Sequence, residues 1–304
     1  MNRTYRIECI PNVSTADPDT LNKISAAIRS IPEVDLRFVD TGLSANRTVF
    51  TYIGPAHAVF KATEKMIDTA LAYIDMRKHS GVHPRMGAVD VCPFVLLDEE
   101  KFQAAFLKAV DQFIEHMGTK GLPVYAYERS ARKPLRRNLA LVRKGEYEQL
   151  PSRFAQGDFP DVGPKIWDDA SAKSGATVMG ARPLMVAFNV NLSSGTKTEL
   201  LLAAKQIAGR IRERDGGLPG VKSIGWYIPD LDVVQVSCNL TQPERVGVCE
   251  VFKRVQQLAT EYGCIAPSSE LIGCIPRSQF KICSSEVLGF GTFKPFNDQR
   301  ILPL

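Results

Sequence analysis

The spacing of apolar residues in the first half of the chain predicts alternating strands and helices. Asp17 and Pro18 fit an N-cap and a first helical residue, and apolar residues recur at helical spacing from Leu21 to Ile31. In chain order, we predict a strand at 5–10, a helix at 17–31, the two strands of a hairpin at 34–39 and 48–53, a helix at 54–74 and a strand at 88–97. This βαββαβ order is that of the split βαβ, or ferredoxin-like, unit.

The second half of the chain repeats this order of elements. A further helix over 102–117 and a strand over 124–127 first extend the N-terminal half. The repeat then consists of a strand at 184–192, a helix at 200–211, strands at 223–228 and 233–240, a helix at 248–255 and a strand at 271–275. The residues of the two halves hardly match, so the pattern favours a structural duplication and an α+β fold without indicating a function.

The segment 157–182 between the halves is rich in Gly, Pro, Asp and Ser and has no apolar period. A simple linker and a ligand-covering loop are both consistent with that composition. Ile166 and Trp167 favour the loop, because a solvated linker has little reason to carry large apolar groups. Pockets form preferentially at domain interfaces, so we expect this loop to cover a ligand there.

Composition then limits the class of protein. With 44% apolar and 23% charged residues, the chain is typical of globular proteins. It has no run of about 18 apolar residues and no signal-peptide core at its N-terminus, so we expect a cytoplasmic protein without a membrane partner. The net charge of +5 mildly favours anionic ligands, and the lack of a nucleic-acid motif argues against a nucleic-acid partner. The seven cysteines include no CxxC pair, and we expect free thiols.

The stretch 79–94, HSGVHPRMGAVDVCPF, carries the strongest candidate for chemistry. The proline after His83 favours an extended segment in which His83 and Arg85 project to the same side, ahead of an apolar strand interrupted by Asp90. One interpretation is an acid/base histidine that titrates near neutrality. The other is a loop histidine beside a structural Asp–Arg pair, which the letters alone favour. A zinc site using His79 and His83 is weaker, because their spacing converges only on a helix, which the nearby glycine and proline oppose.

Three other polar clusters need an explanation. In DTGLSANRT, at 40–48, a hairpin turn explains every residue except Arg47, which enters an apolar strand without an evident partner. GATVMGARP, at 175–183, ends the segment between the halves. RRNLALVRKGEYEQL, at 136–150, has the charge spacing of a solvated helix.

Six stretches of sequence become specific when they are taken together. In chain order they are ECIPNVS (8–14), DTGLSANRTVFTYIG (40–54), IDMRKHSGVHPRMGAVDVCPF (74–94), GEYEQLP (145–151), GATVMGARPLMVAFNVNL (175–192) and SIGWYI (223–228). They resemble the glutamate formiminotransferase family, which includes the N-terminal part of the bifunctional formiminotransferase-cyclodeaminase. The resemblance runs from about Glu8 to Pro276, and HPRMGAVDVCPF is too long and too unusual to match by chance.

The resemblance implies both a fold and a reaction. The fold is two ferredoxin-like subdomains, 1–178 with the connecting loop and 179–304, with a folate tunnel between them, in a homodimer. The reaction transfers the formimino group of N-formiminoglutamate, or of a related glutamate derivative, to N5 of tetrahydrofolate, in histidine degradation and one-carbon metabolism. Tetrahydrofolate, including its polyglutamylated forms, is then a co-substrate, and no metal is implied.

The resemblance also implies roles for individual residues. The family's catalytic histidine falls on His83 and its acidic partner on Asp40. The histidine would take a proton from N5 and return it to the leaving amine, while arginines pair with substrate carboxylates. We expect substrate-binding roles for Asn12, Asn46, Arg47, Thr48, Arg85, Gly87, Asp90 and Arg182, the last as an anion anchor at the end of the loop. We expect folate-binding roles within Gly163–Gly175 and just after it, at Gly163, Pro164, Lys165, Ile166, Trp167, Gly175, Ala176 and Thr177.

Two alternatives stay open from the sequence. Formyl transfer from N-formylglutamate to tetrahydrofolate would use the same histidine and tunnel, and a folate-binding protein without turnover would use the tunnel alone. Family members usually read NFSEG where this chain has NVSTA, at 12–16, and often have an acidic residue in place of Val82. These departures bear on the identity of the donor more than on the binding of folate. The intact Asp40, His83 and Asp90 favour an enzyme.

Overall fold

The protein is described from a computed structural model that covers residues 5–292, 295–302 and 304, and for Asp230 the backbone only. The chain forms two compact units, Met1–Arg182 and Pro183–Leu304. Each unit combines helices with strands, in agreement with the predicted α+β class. Within the described residues, every helix is too short or too polar to cross a membrane.

The first unit begins with the predicted elements and adds short ones near its end. Its strands and α-helices are β1 (Arg6–Cys9), β2 (Asn12–Val13), α1 (Pro18–Arg29), β3 (Asp35–Gly42), β4 (Arg47–Pro55), α2 (Ala56–Tyr73), β5 (Val89–Leu96), α3 (Gln103–Thr119), β6 (Val124–Ala126), α4 (Leu139–Val142), α5 (Leu150–Ala155), α6 (Asp169–Ser174) and β7 (Thr177–Ala181).

The sheet of the first unit confirms the predicted βαββαβ order. Strands β1 and β2 are two parts of one strand, since both pair antiparallel with β4 on one side and with β5 on the other. Strand β3 pairs antiparallel with β4, which gives the ferredoxin-like spatial order β3, β4, β1/β2, β5. Strand β7 then adds parallel to β5, and β6 adds parallel to β7.

Helix α1 begins where the sequence predicts. Asp17 accepts a hydrogen bond from the backbone N–H of Thr20 at 2.8 Å, and Pro18 is the first helical residue. Ile24 and Ile28 of this helix are fully buried. The helix is therefore fixed by its cap at one end and by an apolar stripe along its length.

The two faces of the first sheet differ, since one packs against the helices and the other carries polar side chains beside a smaller apolar cluster on β5, β6 and β7. Ile7, Cys9 and Val13 belong to the core that includes the apolar residues of α1, α2 and α3. Neighbouring residues of a strand point to opposite sides, so Glu8 and Asn12 lie on the other side, here called the polar face. The candidate chemistry of this unit is on that polar face.

The segment 157–182 was predicted as an irregular loop, and this is wrong for its second half. It contains α6 and β7, and β7 lies between β5 and β6 with all five residues buried. A strand buried on both sides has no polar alternation to reveal it, and the small residues of TVMGA look like a glycine-rich loop. Thr177 is tied into the sheet, because its Oγ1 donates to the Val89 carbonyl at 2.7 Å.

The second unit has the same order of elements as the first. They are β8 (Val186–Ser193), α7 (Lys197–Ile211), β9 (Val221–Ile228), β10 (Val233–Leu240), α8 (Val248–Glu261), β11 (Ile265–Ile272), β12 (Ile275–Pro276) and β13 (Ile301–Leu302). Strands β8 to β11 form an antiparallel sheet in the order β11, β8, β10, β9, which is again the ferredoxin-like arrangement. The predicted duplication is confirmed at the level of the fold.

The last strand of the second sheet begins earlier than predicted. The apolar run indicates 271–275, whereas β11 spans Ile265–Ile272. Pro267 and the serines after it look like a turn in the sequence, but the pairing with β8 is irregular between Ile265 and Ser268. A proline is tolerated in a strand at an edge or at such an irregularity, and β11 is an edge strand.

The prediction of free thiols is wrong for two cysteines. Cys249, near the start of α8, and Cys283 form a disulfide. The two are separated by 34 residues, so no local motif announces the pair. The five other cysteines are buried and lie outside any disulfide, as the sequence predicts.

Gly180 tests whether β7 is an integral strand of the sheet. A Cβ at Gly180 would lie 2.4 Å from the Tyr127 carbonyl oxygen, so we expect Gly180→Ala to destabilise the protein by about 1–3 kcal/mol. Urea unfolding followed by circular dichroism measures this. Gly42→Ala is the control, because its Cβ would meet only ordinary contacts of 3.5 Å and 3.7 Å. Equal stability of the Gly180→Ala variant and the wild type would contradict the assigned position of β7.

Candidate active site

Asp90 is placed by a β-bulge in β5. Asn12 pairs with Val91 and Val13 with Val89, so one step along β2 opposes two steps along β5. The two valines therefore belong to different apolar clusters on the two sides of the sheet, although they are two residues apart. Asp90 is the extra residue, and bulges commonly redirect a side chain in this way.

The Asp90 carboxylate is fully buried and is neutralised by two arginines. Its Oδ2 accepts from Arg47 Nη1 at 2.7 Å and from Arg143 Nη2 at 2.6 Å. Its Oδ1 accepts from the Met86 backbone N–H at 2.9 Å. A buried charge is tolerated only when it is paired and hydrogen-bonded, and these three bonds satisfy that requirement.

Arg47 connects this carboxylate to the histidine loop. No partner for Arg47 is evident in the sequence, and the structure pairs it with Asp90. Its Nε donates to Asn12 Oδ1 at 3.1 Å, and its Nη1 also contacts the Pro84 carbonyl at 3.0 Å and His83 Nδ1 at 2.8 Å. Burial lowers the pKa of Arg47 to about 9, while Asp90 acts in the opposite direction. The side chain stays cationic at neutral pH and joins three separate segments.

His83 is half-buried and is held as a neutral ring. Burial, followed by the positive charges of Arg47 and Arg143, lowers the pKa of His83 from 6.5 to about 3. The expectation of a histidine that titrates near neutrality is therefore wrong for this arrangement. The sequence could not supply the reason, since Arg143 is far from His83 along the chain.

The contacts of His83 Nδ1 define two tautomers of the neutral ring. Nδ1 is 2.8 Å from Arg47 Nη1 and 2.8 Å from the Pro84 carbonyl oxygen. An arginine N–H can only donate, so the first contact places the ring proton on Nε2. The second contact requires a proton on Nδ1, which gives Nε2 the lone pair. The ring can thus present a donor or an acceptor at Nε2 without changing its charge.

Asn46 and Thr48 fix the loops around this group. Asn46 adopts a left-handed backbone with φ of 43°, its Oδ1 accepts from the Ala16 N–H at 2.9 Å, and its Nδ2 donates to the Ser80 carbonyl at 3.0 Å. Thr48 is fully buried, and its Oγ1 donates to the Thr15 carbonyl at 2.8 Å. These two predicted substrate-binding residues hold the 12–16 and 79–87 segments beside β4.

Arg85 belongs to a different set of contacts from the one the alternation predicts. It was expected to project with His83, but its Nη1 donates to Glu148 at 2.8 Å and to Glu146 at 3.3 Å. Its Nε donates to His79 Nδ1 at 3.2 Å. Arg85 is buried, so its ion pairs anchor the histidine loop to the segment that follows α4.

Gly87 and Gly175 bring the histidine loop against the predicted folate segment. The two glycines form an isolated antiparallel bridge, and Ala176 N–H donates to the Met86 carbonyl at 3.0 Å. A Cβ on Gly87 would lie 2.6 Å from the Ala176 carbonyl oxygen, so only glycine permits this approach. The structure therefore joins two stretches that the sequence selected separately.

The predicted folate-binding residues differ in exposure. Lys165 and Ile166 are exposed, Pro164 is half-buried, and Gly163 has a φ of 89° against the Leu122 carbonyl. Trp167 packs on Phe154 at a ring separation of 5.4 Å, within the first unit. Gly175, Ala176 and Thr177 are buried at the entry to β7. Among the predicted folate-binding residues, Lys165 and Ile166 are the exposed ones.

Asp40 and Arg182 extend the polar face. Asp40 on β3 pairs with Val49 on β4, which also pairs with Asn12, so Asp40 and Asn12 flank β4 on one face. Asp40 is buried and is a diagonal neighbour of Arg47 across the same strands. The Arg182 N–H donates to the Phe94 carbonyl at 2.9 Å, directly after β7.

Sequence reasoning missed two charged residues of this face. Arg143 was assigned to a solvated helix, but that segment is divided among short α and 3-10 helices and turns, and Arg143 pairs with buried Asp90. Glu8 was passed over although a glutamate in an apolar strand is itself a signal. Burial raises the pKa of Glu8 to about 7, against the lowering effect of Arg182 and Arg37. Glu8 can therefore hold or release a proton near neutral pH.

The described residues contain no group of three or more His, Cys, Asp or Glu side chains that could hold a metal ion. His79 and His83 have different partners, since His79 Nε2 lies 2.8 Å from the Asn46 carbonyl oxygen. That a metal is not required stays a prediction.

The fold and the site define an α+β protein of two ferredoxin-like units with a neutral histidine held beside an Arg–Asp–Arg group. Residues 6–182 match the family described as the formiminotransferase domain, N-terminal subdomain, and residues 187–286 match the formiminotransferase domain. The chain belongs to the formiminotransferase domain family.

Three relatives illustrate the likeness. Glutamate formimidoyltransferase of Thermoplasma acidophilum is 36% identical over 274 residues, which are 89% of this chain and 88% of that protein. The protein of the same name from Streptococcus pyogenes serotype M1 is 37% identical over 273 residues, 89% of each chain. Formimidoyltransferase-cyclodeaminase of Rattus norvegicus is 38% identical over 275 residues, 89% of this chain. The chain spans about half the length of the rat protein, since the match covers 50% of it.

The pKa of His83 provides a direct test of the site. We expect its imidazole resonances to keep the positions of the neutral ring from pH 8 down to about pH 5, because its pKa is about 3. Arg47→Met should raise this pKa toward 6.5 by removing one nearby cation. NMR titration measures both. The unfolded chain binds this proton below about pH 6.5 and the folded chain only near pH 3, so His83 makes stability rise with pH across that window. Titration of wild-type His83 near pH 6.5 would contradict the arrangement.

Asp90 should be far more important for stability than a surface aspartate. Asp90→Asn removes the charge that two buried guanidinium groups share, and we expect a loss of about 3–5 kcal/mol in the free energy of unfolding. Asp98→Asn is the matched control, since Asp98 pairs with the exposed Arg6 at 2.8 Å and should cost about 0–1 kcal/mol. Urea unfolding compares the two variants, and equal losses would refute the role given to Asp90.

Proposed function

We propose that this protein is a glutamate formimidoyltransferase, which transfers the formimino group of N-formimino-L-glutamate to N5 of tetrahydrofolate. The observation that carries the proposal is the position of His83, 2.8 Å from an arginine that is itself paired with buried Asp90. Two microbial relatives named glutamate formimidoyltransferase support the same reaction here. The match covers 88% and 89% of their lengths.

In the proposed reaction one C–N bond forms and another breaks. N5 of tetrahydrofolate attacks the amidine carbon and gives up a proton, and the tetrahedral carbon then releases the glutamate amine, which gains a proton. With its own proton on Nδ1 and directed at the Pro84 carbonyl, His83 takes the N5 proton at Nε2. It returns this proton to the leaving amine, so the enzyme ends as it began. Such acid/base catalysis contributes typically about 10²- to 10⁴-fold.

The low pKa of His83 gives the anionic donor a second role in this proposal. A base with a pKa of about 3 is weak, and the cations Arg47 and Arg143 help to keep it low. A carboxylate of N-formimino-L-glutamate beside these arginines would offset their charge and raise the pKa of His83. The histidine would then become a stronger base when the donor is bound, which limits proton transfer in the empty site.

We propose that tetrahydrofolate is bound along 163–175. The bridge between Gly87 and Gly175 keeps this segment against the histidine loop, and exposed Lys165 suits the carboxylates of a glutamate or polyglutamate tail. Asp40, on the polar face with Arg47, would orient or stabilise the charged state of His83. Arg182 would hold an anionic group next to Glu8.

The tunnel between the two subdomains, the homodimer, the cytoplasmic location and the subdomain boundary at 178 stay predictions from the resemblance and the sequence. Sedimentation velocity over a concentration series would establish the oligomeric state. A single species of monomer mass at all concentrations would contradict the homodimer.

The transfer reaction is tested with purified protein, tetrahydrofolate and each of two donors, N-formimino-L-glutamate and N-formyl-L-glutamate. We expect turnover with the formimino donor, and the release of glutamate measures it. His83→Ala should reduce kcat by about 10²- to 10⁴-fold and leave tetrahydrofolate affinity nearly unchanged. His57→Ala is the control, since His57 is exposed and contacts Glu33 at 3.1 Å on the surface.

The outcomes of this assay separate the remaining functions. Turnover with only the formyl donor would favour formyl transfer, and tight tetrahydrofolate binding without transfer from either donor would favour a binding protein. A wild-type rate in the His83→Ala variant would overturn the catalytic role of His83.

A further inference from the structure

Glu146 has a backbone conformation that is otherwise typical of glycine. Its φ is 55° and its ψ is −157°, a region that other residues occupy only with strain. Gly175 has almost the same angles, with φ of 64° and ψ of −151°, and there the chain carries a glycine. At 146 the chain has a glutamate in spite of the strain, which indicates that the side chain of Glu146 has a role of its own.

That side chain holds the main chain of the histidine loop. Glu146 Oε2 accepts from the backbone N–H of Arg85 at 3.4 Å and from Arg85 Nη1 at 3.3 Å. The charge of Arg85 is already balanced by Glu148, which accepts from Nη1 at 2.8 Å and from Nη2 at 2.5 Å. Charge balance therefore does not explain Glu146. Its distinct contribution is the bond to the backbone of the loop.

The turn that contains Glu146 also fixes Arg143. The Glu146 N–H donates to the Arg143 carbonyl at 2.8 Å, which closes a turn directly after the arginine that pairs with Asp90. Gly145, with φ of 82°, lies inside this turn. The Arg143 side chain is only 13% exposed, and its Nη2 reaches Asp90 at 2.6 Å. The position of this cation in the site thus depends on the conformation at 146.

Tyr147 connects the same turn to the segment proposed to bind folate. Its N–H donates to the Arg85 carbonyl at 2.9 Å, and its hydroxyl donates to the Ala172 carbonyl at 2.6 Å. Its ring centre lies 5.9 Å from that of Trp167. Tyr147 therefore contacts the histidine loop through its backbone and the 163–175 segment through its side chain.

We propose that Glu146 and Tyr147 are positioning residues, which hold residues 143–148 as a strained clasp between the histidine loop and the 163–175 segment. Neither side chain needs to touch a substrate in this role. A backbone strain persists only where the surrounding contacts fix it, and a displacement of about 1 Å between reacting groups can lower a rate about 10²-fold. The identity of the reaction and of the folate segment rests on the proposed function, whereas the placement of Arg143 rests on the contacts alone.

Glu146→Gly tests the clasp by removing both the strain and the contact with Arg85. We expect the melting midpoint to equal or exceed that of the wild type, because glycine adopts these angles without strain. In the transfer assay kcat should fall about 10- to 100-fold, with both KM values within about threefold of the wild type. Glu128→Gly is the matched control, since Glu128 also has a positive φ, of 53°, and this variant should keep the wild-type kcat.

The NMR titration of His83 provides a readout that does not depend on turnover. Burial, followed by the charges of Arg47 and Arg143, lowers the pKa of His83 to about 3, and Asp90 acts in the opposite direction. If Arg143 is no longer fixed, its charge acts less on the ring, so the pKa of His83 should rise toward 6.5 in Glu146→Gly. In the control variant it should not move.

Tyr147→Phe tests the other end of the clasp and leaves the strained residue in place. It removes only the hydroxyl that donates to Ala172, and we expect kcat to fall about 10-fold while the melting curve shows a folded protein. Tyr73→Phe is the control, because Tyr73 is 55% exposed. This pair of variants decides the proposal even if Glu146→Gly does not fold.

A wild-type kcat together with a wild-type His83 titration in folded Glu146→Gly would overturn the proposal and leave the clasp as a structural turn. A wild-type kcat in Tyr147→Phe would overturn the role of Tyr147. If the wild-type protein itself shows no turnover with either donor, the proposed function fails. The His83 titration then still decides whether Glu146 places Arg143.

Discussion

The shared charge of Asp90 is the interaction on which the first unit's site depends. A carboxylate with no exposed surface requires cations, and Arg47 and Arg143 supply them from β4 and from the end of α4. Once Arg47 is held there, its other donors reach Asn12 and the loop of His83. One buried negative charge thus sets the positions of three chain segments that are distant in sequence.

The sheet of each unit packs one face against helices and carries buried polar side chains on the other. The face against the helices is apolar in both units and forms the core. The other face carries Glu8, Asn12 and Arg47 in the first unit, and Gln235 and Glu270 in the second. Because neighbouring residues of a strand point to opposite sides, the same strands supply the apolar core and the polar face.

The periodicity of the sequence predicts the two ferredoxin-like units because their strands and helices bury one side only. It does not predict β7, which is buried on both sides and has no alternation, or the early start of β11, where Pro267 imitates a turn. The resemblance selected His83, Arg47 and Asp90, which the structure brings together. Arg143, the Cys249–Cys283 pair and the low pKa of His83 depend on contacts between distant segments, which no local pattern contains.

The bulge at Asp90 also gives neighbouring residues of one strand different contacts. Val89 and Val91 already occupy the two sides of the sheet opposite neighbouring residues of β2, so the pairing of β5 uses them and passes over the residue between them. A chain that lacked Asp90 would have an uninterrupted alternation there, with the helix core unchanged and the two arginines without their common counter-ion. Asp90 therefore stands outside the register of β5 with β2, and its carboxylate is available to pair with the two arginines.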